Sequence, residues 1–222
     1  MAVKAIILLG APGAGKGTIA EDIRSSTAYA HVSTGDMLRA AIKAGNAVGK
    51  EAEAYMTKGE LVPDRVIVEI VMQRIDRGGS DGLYMFDGFP RTLEQARLLD
   101  VEFKKRNAEL ERVFLLDVPR EVAIQRLAGR RVCSKCGASF HVQNIPPKKS
   151  GICDYCGGEL VQRPDDSEAT VLNRLEVFNQ QTAALIAYYK NRGILTRVDS
   201  ARDRRQTAAE IMRYLKDVKR DS

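Results

Sequence analysis

Short apolar runs alternate along this chain with stretches of helical period. Val3 to Leu9 is nearly continuous in apolar residues, as a parallel strand buried on both faces requires. Tyr29 to Val32, Leu83 to Phe86, Arg112 to Val118 and Ile194 to Val198 predict four more strands. Between them, Ile19 to Arg24, Met37 to Lys43, Glu51 to Lys58, Arg65 to Arg77 and Glu121 to Ala128 read as helices, with Pro119 at a first-turn position. Ser167 to Lys190 reads as one long helix capped by Ser167 and ended by Gly193, and a last helix follows the fifth strand. Strand and helix in alternation predict an α/β fold with a parallel sheet covered on both faces. Only Arg131 to Asp166 breaks the rhythm: it holds Pro146-Pro147, several glycines and every cysteine. A structureless insertion of that length is unusual unless something else orders it, so a small inserted subdomain is expected.

The first strand leads into GAPGAGKGT, Gly10 to Thr18, and then into a helix, which is the context that defines a phosphate-binding P-loop. Glycines let successive N–H groups turn inward toward phosphate oxygens, and Lys16 and the positive helix end add charge. The general pattern places Ser or Thr directly after the lysine as a Mg²⁺ ligand. Here Gly17 stands there and the hydroxyl comes one residue later, on Thr18. Mg²⁺ would then be held by substrate phosphates and waters, with Asp87 and Asp36 acting through those waters. Asp87 ends an apolar strand, and Asp36 opens the helix after the second strand.

Cys133-x₂-Cys136 and Cys153-x₂-Cys156 lie sixteen residues apart, each followed by glycine. That spacing fits a tetrahedral four-thiolate metal site, expected to be structural zinc because no coordination position stays open. Thiolate ligands alone leave iron as the other candidate. The 222 residues carry 35 Lys plus Arg against 29 Asp plus Glu, a net +6 that a bound zinc with four thiolates would lower to about +4. Basic residues concentrate between Ser200 and Ser222, where they are read as a solvated helix face. The apolar run ending at Gly10 is too short for an export signal or a membrane span, so a cytoplasmic protein without membrane partners is expected. Arg126, Arg130 and Arg131 precede the cysteine insertion, and Arg163 and Arg174 follow it. Four-residue spacing puts Arg126 and Arg130 on one helical face, and together these arginines read as phosphate ligands.

With STGDMLR (Ser33 to Arg39), DGFPRT (Asp87 to Thr92), GRR (Gly129 to Arg131), QRPDD (Gln162 to Asp166) and NRLEVF (Asn173 to Phe178), the chain resembles bacterial adenylate kinases of the zinc-containing, long-lid type. The resemblance runs from Ala5 to about Val198. It implies a P-loop NTPase-type three-layer fold with a five-stranded parallel sheet. The core would comprise 1–32, 63–128 and 167–222, with an AMP-binding helical insertion at 33–62 and a zinc-binding lid at 129–166.

The implied reaction is Mg²⁺-dependent transfer of a phosphoryl group from ATP to AMP, giving two ADP. ATP would meet Gly13, Ala14, Gly15, Lys16, Gly17, Thr18, Arg126, Arg130, Ser139 and Phe140, with the backbone near Arg202 touching adenine. AMP would meet Thr34, Arg39, Glu60, Leu61, Val62, Gly88, Phe89, Pro90, Arg91 and Gln95, while Arg163 and Arg174 bridge to AMP and the moving phosphoryl group. Lys16, Arg126, Arg130, Arg163 and Arg174 would be the catalytic cations. Gln95 can offer a donor and an acceptor to an adenine edge. The AMP phosphate is already an anion, so no general base is needed; His31 reads as structural, and His141 as either a nucleotide contact or a packing residue. A monomer is the family expectation.

Two other readings compete. A different nucleoside monophosphate kinase, or one using GTP, would share this scaffold. A zinc-ribbon nucleic-acid binder with an NTPase domain would need clustered basic and aromatic residues, and the insertion offers only Lys135, Lys148, Lys149, Phe140 and Tyr155. The motif set concentrates charge at a nucleotide site instead, so no nucleic-acid partner is expected.

Overall fold

The computed structural model describes residues 3–78 and 82–215. The strands are β1 (Lys4–Leu9), β2 (Ala30–Ser33), β3 (Leu83–Asp87), β4 (Glu109–Asp117), β5 (Arg130–Cys133), β6 (Ser139–His141), β7 (Leu160–Val161) and β8 (Leu195–Asp199). Five of them form one parallel sheet in the order β2-β3-β1-β4-β8, and β6-β5-β7 form a small antiparallel sheet. The helices are α1 (Lys16–Ser26), α2 (Thr34–Ala44), α3 (Ala47–Met56), α4 (Asp64–Arg77), α5 (Leu93–Lys105), α6 (Arg120–Ala128), α7 (Glu168–Val177), α8 (Ala184–Asn191) and α9 (Arg204–Met212).

Alternation along the central strand generates the layers. Ala5, Ile7 and Leu9 of β1 join one core with residues of α4, α5 and α8. Ile6 and Leu8 face the opposite core, with Ile19 and Ile23 of α1 and Ala208 and Ile211 of α9. All five β1 residues from Ala5 to Leu9 are buried, which explains a run with no polar interruption there. In register, Leu8 lies beside Asp87, and Ser33 lies beside Asp87 on the other side. The carboxyl ends of β1, β2 and β3 therefore finish together, where open α/β sheets bind ligands.

Several elements depart from the sequence reading. α5 was not predicted, although Thr92 caps it by accepting from the Gln95 N–H at 3.1 Å. The long helix expected over 167–190 is divided into α7 and α8 by a π-helical turn at Phe178–Thr182, and Ser167 caps α7 as expected. Pro119 is the N-cap of α6 rather than its first helical residue. The 131–166 stretch holds the three short strands of the second sheet around a small core of Cys133, Phe140, Cys153 and Leu160. Among the described residues no helix is long and apolar enough to cross a membrane. The basic C-terminal stretch is helical over α9, with Arg204 half-buried and Arg205 exposed, and its last part, 216–222, lies outside the described residues.

Phe86 on β3 ties the sheet to the loop that follows it. Its ring is fully buried and meets Phe89 edge-on at 5.8 Å and Phe103 of α5 at 6.1 Å. Phe86→Ala should cost about 3–5 kcal/mol, or roughly 10 °C in melting temperature. A calorimetric shift below about 3 °C would contradict this packing role.

Candidate active site

The loop between β1 and α1 is shaped by glycines that no other residue could replace cheaply. Gly13 and Gly15 have φ of 84° and 87°, and a Cβ on Gly13 would fall 2.4 Å from the Ala123 carbonyl oxygen of α6. α1 starts with no side-chain cap and no acid in its first turn, so its leading N–H groups face the concavity available to an anion. Lys16 donates from Nζ to the carbonyls of Gly10 at 2.7 Å and Ala11 at 3.0 Å. Burial pushes its pKa down to about 8; Asp87 opposes that shift, while Arg91, Arg174 and Arg130 reinforce it. Ala14 is buried, and Thr18 is half-buried one turn into the helix.

The Asp87 carboxylate lies close to the residue after the lysine: a Cβ on Gly17 would be 3.4 Å from Asp87 Oδ2, an ordinary contact. Asp87 is also 3.2 Å from His31 Nε2. Burial alone would raise the Asp87 pKa, but the His31 hydrogen bond and the Lys16 charge overcome it and hold the carboxylate ionised. His31, read as structural, thus positions an acid of the site. Asp36 lies at the start of α2, capped by Ser33, and pairs with Arg39 and, at 3.7 Å, with Arg163.

Beside the loop is an open cavity lined by Thr34, Arg39, Glu60, Leu61, Val62, Gly88, Arg91, Gln95 and Arg174, all residues singled out in the sequence. Gly35, Leu38, Met56, Gly59, Ile67 and Asp165 complete it. Thr34 Oγ1 and Arg91 Nε both donate to the Gly88 carbonyl at 2.8 Å, which fixes the turn after β3. Phe89 and Pro90 are buried behind that turn and do not line the cavity. Gln95 accepts from the Arg91 N–H at 2.7 Å and donates to Asp64 at 2.8 Å. One amide hydrogen and one oxygen lone pair remain for a ligand. Gly59 is needed here for room, since a Cβ would come within 2.9 Å of the Arg174 side chain.

The remaining arginines converge from the far side. Arg130 on β5 binds Asp166 through two bonds, one of them 2.7 Å. Arg174 on α7 reaches Asp165 at 2.9 Å and Asp166 at 3.2 Å. Burial, joined by neighbouring arginines, lowers the pKa of Arg91 and of Arg163 to about 10: Arg174 and Arg39 contribute for Arg91, Arg39 and Arg130 for Arg163. Arg174 is lowered by burial and then by Arg130 and Arg39. Asp165 and Asp166 were not assigned roles from sequence, although QRPDD placed both within three residues of Arg163. Arg126 donates to the Ala201 carbonyl at 3.3 Å, which puts the backbone beside Arg202 next to it; the Arg202 guanidinium turns to Glu210.

In the small sheet Ser139 is exposed, whereas the Phe140 ring is buried against the cysteine knuckles. The four Sγ atoms of Cys133, Cys136, Cys153 and Cys156 lie within 4.8 Å of one another, with Cys133–Cys156 at 3.4 Å and Cys136–Cys153 at 3.6 Å. Metal–sulfur bonds of about 2.3 Å in a tetrahedron place the sulfurs about 3.8 Å apart, so the cluster fits a metal ion. The Cys136 N–H points at Cys133 Sγ and lowers that thiol's pKa to about 6, favouring the ligating thiolate.

A P-loop on a parallel sheet, a neighbouring polar cavity and a ring of arginines define a phosphotransferase of the nucleotide-binding class. The adenylate kinase family model matches residues 8–194. The chain is 46% identical to an adenylate kinase of Clostridium tetani over 95% of its length and 97% of the relative's. It is 47% identical to one of Caldicellulosiruptor saccharolyticus over 95% and 98%, and 50% identical to one of Clostridium botulinum over 87% and 90%. The chain belongs to the adenylate kinase family, and its activity is phosphoryl transfer between ATP and AMP.

Lys16 gives this site a pH signature. A bound polyphosphate removes its desolvated isolation and raises its pKa, so the complex holds a proton that the free protein has partly lost near pH 8. Nucleotide affinity is then full below about pH 8 and falls as pH rises through that value. Titration calorimetry at about pH 8.5 in buffers of different ionisation enthalpy should register proton uptake approaching one per ATP. No uptake would contradict the assigned environment of Lys16.

Proposed function

We propose that the P-loop side of the site holds the ATP phosphates and that the cavity lined by Thr34, Arg91 and Gln95 holds AMP. The observation that carries this reading is the electrostatic coupling of one lysine with five arginines. Burial first, and then the mutual repulsion of Lys16, Arg39, Arg91, Arg130, Arg163 and Arg174, lowers the pKa of Lys16, Arg91, Arg163 and Arg174. Two nucleotides meeting end to end supply the phosphate chain that relieves this repulsion.

In the proposed roles, N–H groups from Gly13 to Thr18 and Lys16 cradle the donor's outer phosphates, and Arg126 and Arg130 grip the same chain. Ser139 and Phe140 would contact the donor through their backbone, as would Ala201 and Arg202. Arg39 and Arg91 hold the AMP phosphate, Thr34 and Gln95 face its base, and Glu60, Leu61 and Val62 contribute backbone and apolar surface. An AMP phosphate oxygen bonds to the terminal phosphorus of ATP while the bond to the bridging oxygen breaks, its electron pair leaving with ADP. Arg163 and Arg174 neutralise charge at the moving group. Transfer to water is avoided if residues 33–62 and 129–166 close as two pieces over the core, the division expected from sequence.

Mg²⁺ bound to ATP would neutralise charge on the transferring phosphates. Asp87, held ionised, and Asp36 would hold its waters. For the cysteine cluster we assign zinc, over iron, as a structural ion that orders a segment with only a four-residue core. The protein is taken to act in the cytoplasm as a monomer without nucleic-acid or membrane partners, with small nucleotides as its ligands.

Three measurements test this reading. A coupled assay of ATP or GTP against AMP, CMP, UMP and GMP should find ATP with AMP the best pair; another preferred acceptor would overturn the roles of Thr34 and Gln95. Lys16→Met should fold and lose at least about 100-fold in kcat, the range of one lost charge contact at a transition state; retained turnover would remove Lys16 from catalysis. Chelation, or Cys133→Ala, should lower the melting temperature by several degrees with little change in kcat of the folded fraction. Identical melting with and without chelator would argue against a structural metal.

A further inference from the structure

His141 has no part in the roles above, yet its ring is buried and all its polar capacity is used. Nδ1 accepts from the N–H groups of Gln143 and Asn144, both at 3.0 Å. An atom that accepts twice carries no proton, so the proton sits on Nε2. Nε2 lies 3.4 Å from the Gln125 carbonyl, in the last turn of α6. The ring thus plugs the turn at 141–145, closed by the His141 N–H to the Ile145 carbonyl at 3.0 Å, and tethers that turn to the neighbouring helix.

The tether sits where the chain passes from α6 to β5. Gly129 caps α6 with φ −83° and ψ −5°, a conformation open to any residue. What demands glycine is the imidazole: a Cβ would lie 2.3 Å from His141 Nε2 and 2.5 Å from Cε1. The Val142 N–H also donates to the Gly129 carbonyl at 2.9 Å, and Arg130 pairs with His141 across β5 and β6. Arg126 precedes this junction on α6 and Arg130 follows it on β5. Their relative placement therefore depends on how the chain turns at Gly129.

We infer that His141 and Gly129 form the bearing of the 129–166 segment, and that His141 is a positioning residue for donor binding, setting Arg126 and Arg130 at a fixed spacing without touching the nucleotide. This rests on the donor-site assignment of those two arginines. The bearing should act on ATP and spare AMP, because every residue lining the AMP cavity except Asp165 lies outside 129–166.

The test uses the metal-loaded full chain and three variants. His141→Ala should raise the KM for ATP roughly tenfold, the effect of about one buried hydrogen bond, and leave the KM for AMP within twofold. His141→Gln, whose amide N–H can take the place of Nε2–H, should bring the ATP KM back to within about threefold of the parent. His141→Asn keeps an acceptor at the Nδ1 position. It should retain hydrogen-exchange protection at the Gln143 and Asn144 amides, which His141→Ala loses, while its ATP KM still rises. Gly129→Ala should resemble His141→Ala, and the double Ala variant should be no worse than His141→Ala alone. Equal rises in both KM values, an unchanged ATP KM in His141→Ala, or unchanged amide protection in that variant would each overturn the inference. Arg126→Ala and Arg130→Ala separate the two ideas. If they raise the ATP KM and His141→Ala does not, the bearing falls; if neither they nor His141→Ala do, the donor-site assignment falls first.

Discussion

Cations that repel one another are the constraint on which this structure turns. Arg91 and Arg174 are half-buried and Lys16 is crowded at the start of α1, so each loses hydration and meets like charge. Such a cluster costs stability unless something anionic is present. The fold supplies a partial answer in Asp36, Asp87, Asp165 and Asp166, which pair with the cations from their flanks. Asp36, Asp87 and Asp165 are held below the ordinary carboxylate range against the burial that would raise them, by their cationic neighbours and, for Asp87, first by its His31 hydrogen bond. These acids orient the guanidinium groups and leave the path between P-loop and cavity to a phosphate chain.

The rest of the architecture can be read as the means of assembling that cluster. Parallel strands with matched ends bring Gly10, Ser33 and Asp87 to one edge of the sheet. α6 and β5 carry Arg126 and Arg130, while α7 brings Arg174 past Gly59. Glycine recurs where backbone or side chain comes close: Gly13 against α6 and Gly129 against His141. Gly13 needs glycine for its φ as well; at Gly129 the space is what matters.

Much of this was legible before the fold was known, and the failures have physical causes. The P-loop, the cysteine knuckles and the five sheet strands were readable because glycine spacing, thiolate spacing and buried apolar runs are local signals. α5 did carry a local signal that the reading passed over: Ala96, Leu99 and Phe103 stand at the i, i+3, i+7 spacing of an amphipathic helix, behind the Thr92 cap. The π turn at 178–182 left no sequence signal, since it interrupts a helix without Pro or Gly. The spacing of Arg126 and Arg130 suggested one helical face, but α6 ends at Ala128 and Arg130 lies on β5, and nothing local paired Arg130 and Arg174 with Asp165 and Asp166. Those pairs join residues up to 36 apart in sequence. His141 was undecidable from its neighbours, because its partners are backbone atoms that only the folded chain brings to the ring. The activity itself followed from ordered motifs along most of the chain, and the family comparison agrees with it.

Arg91→Met offers the most direct measurement on the cation cluster. It removes one half-buried charge, and the Gly88 carbonyl it would orphan still accepts from Thr34. Melting temperatures of parent and variant, each with and without saturating AMP, separate repulsion from ordinary packing. If mutual repulsion governs the ligand-free site, the variant melts a few degrees above the parent without AMP and below it with AMP, because ligand stabilises in proportion to affinity. A variant that melts below the parent in both conditions by the same margin would contradict the account.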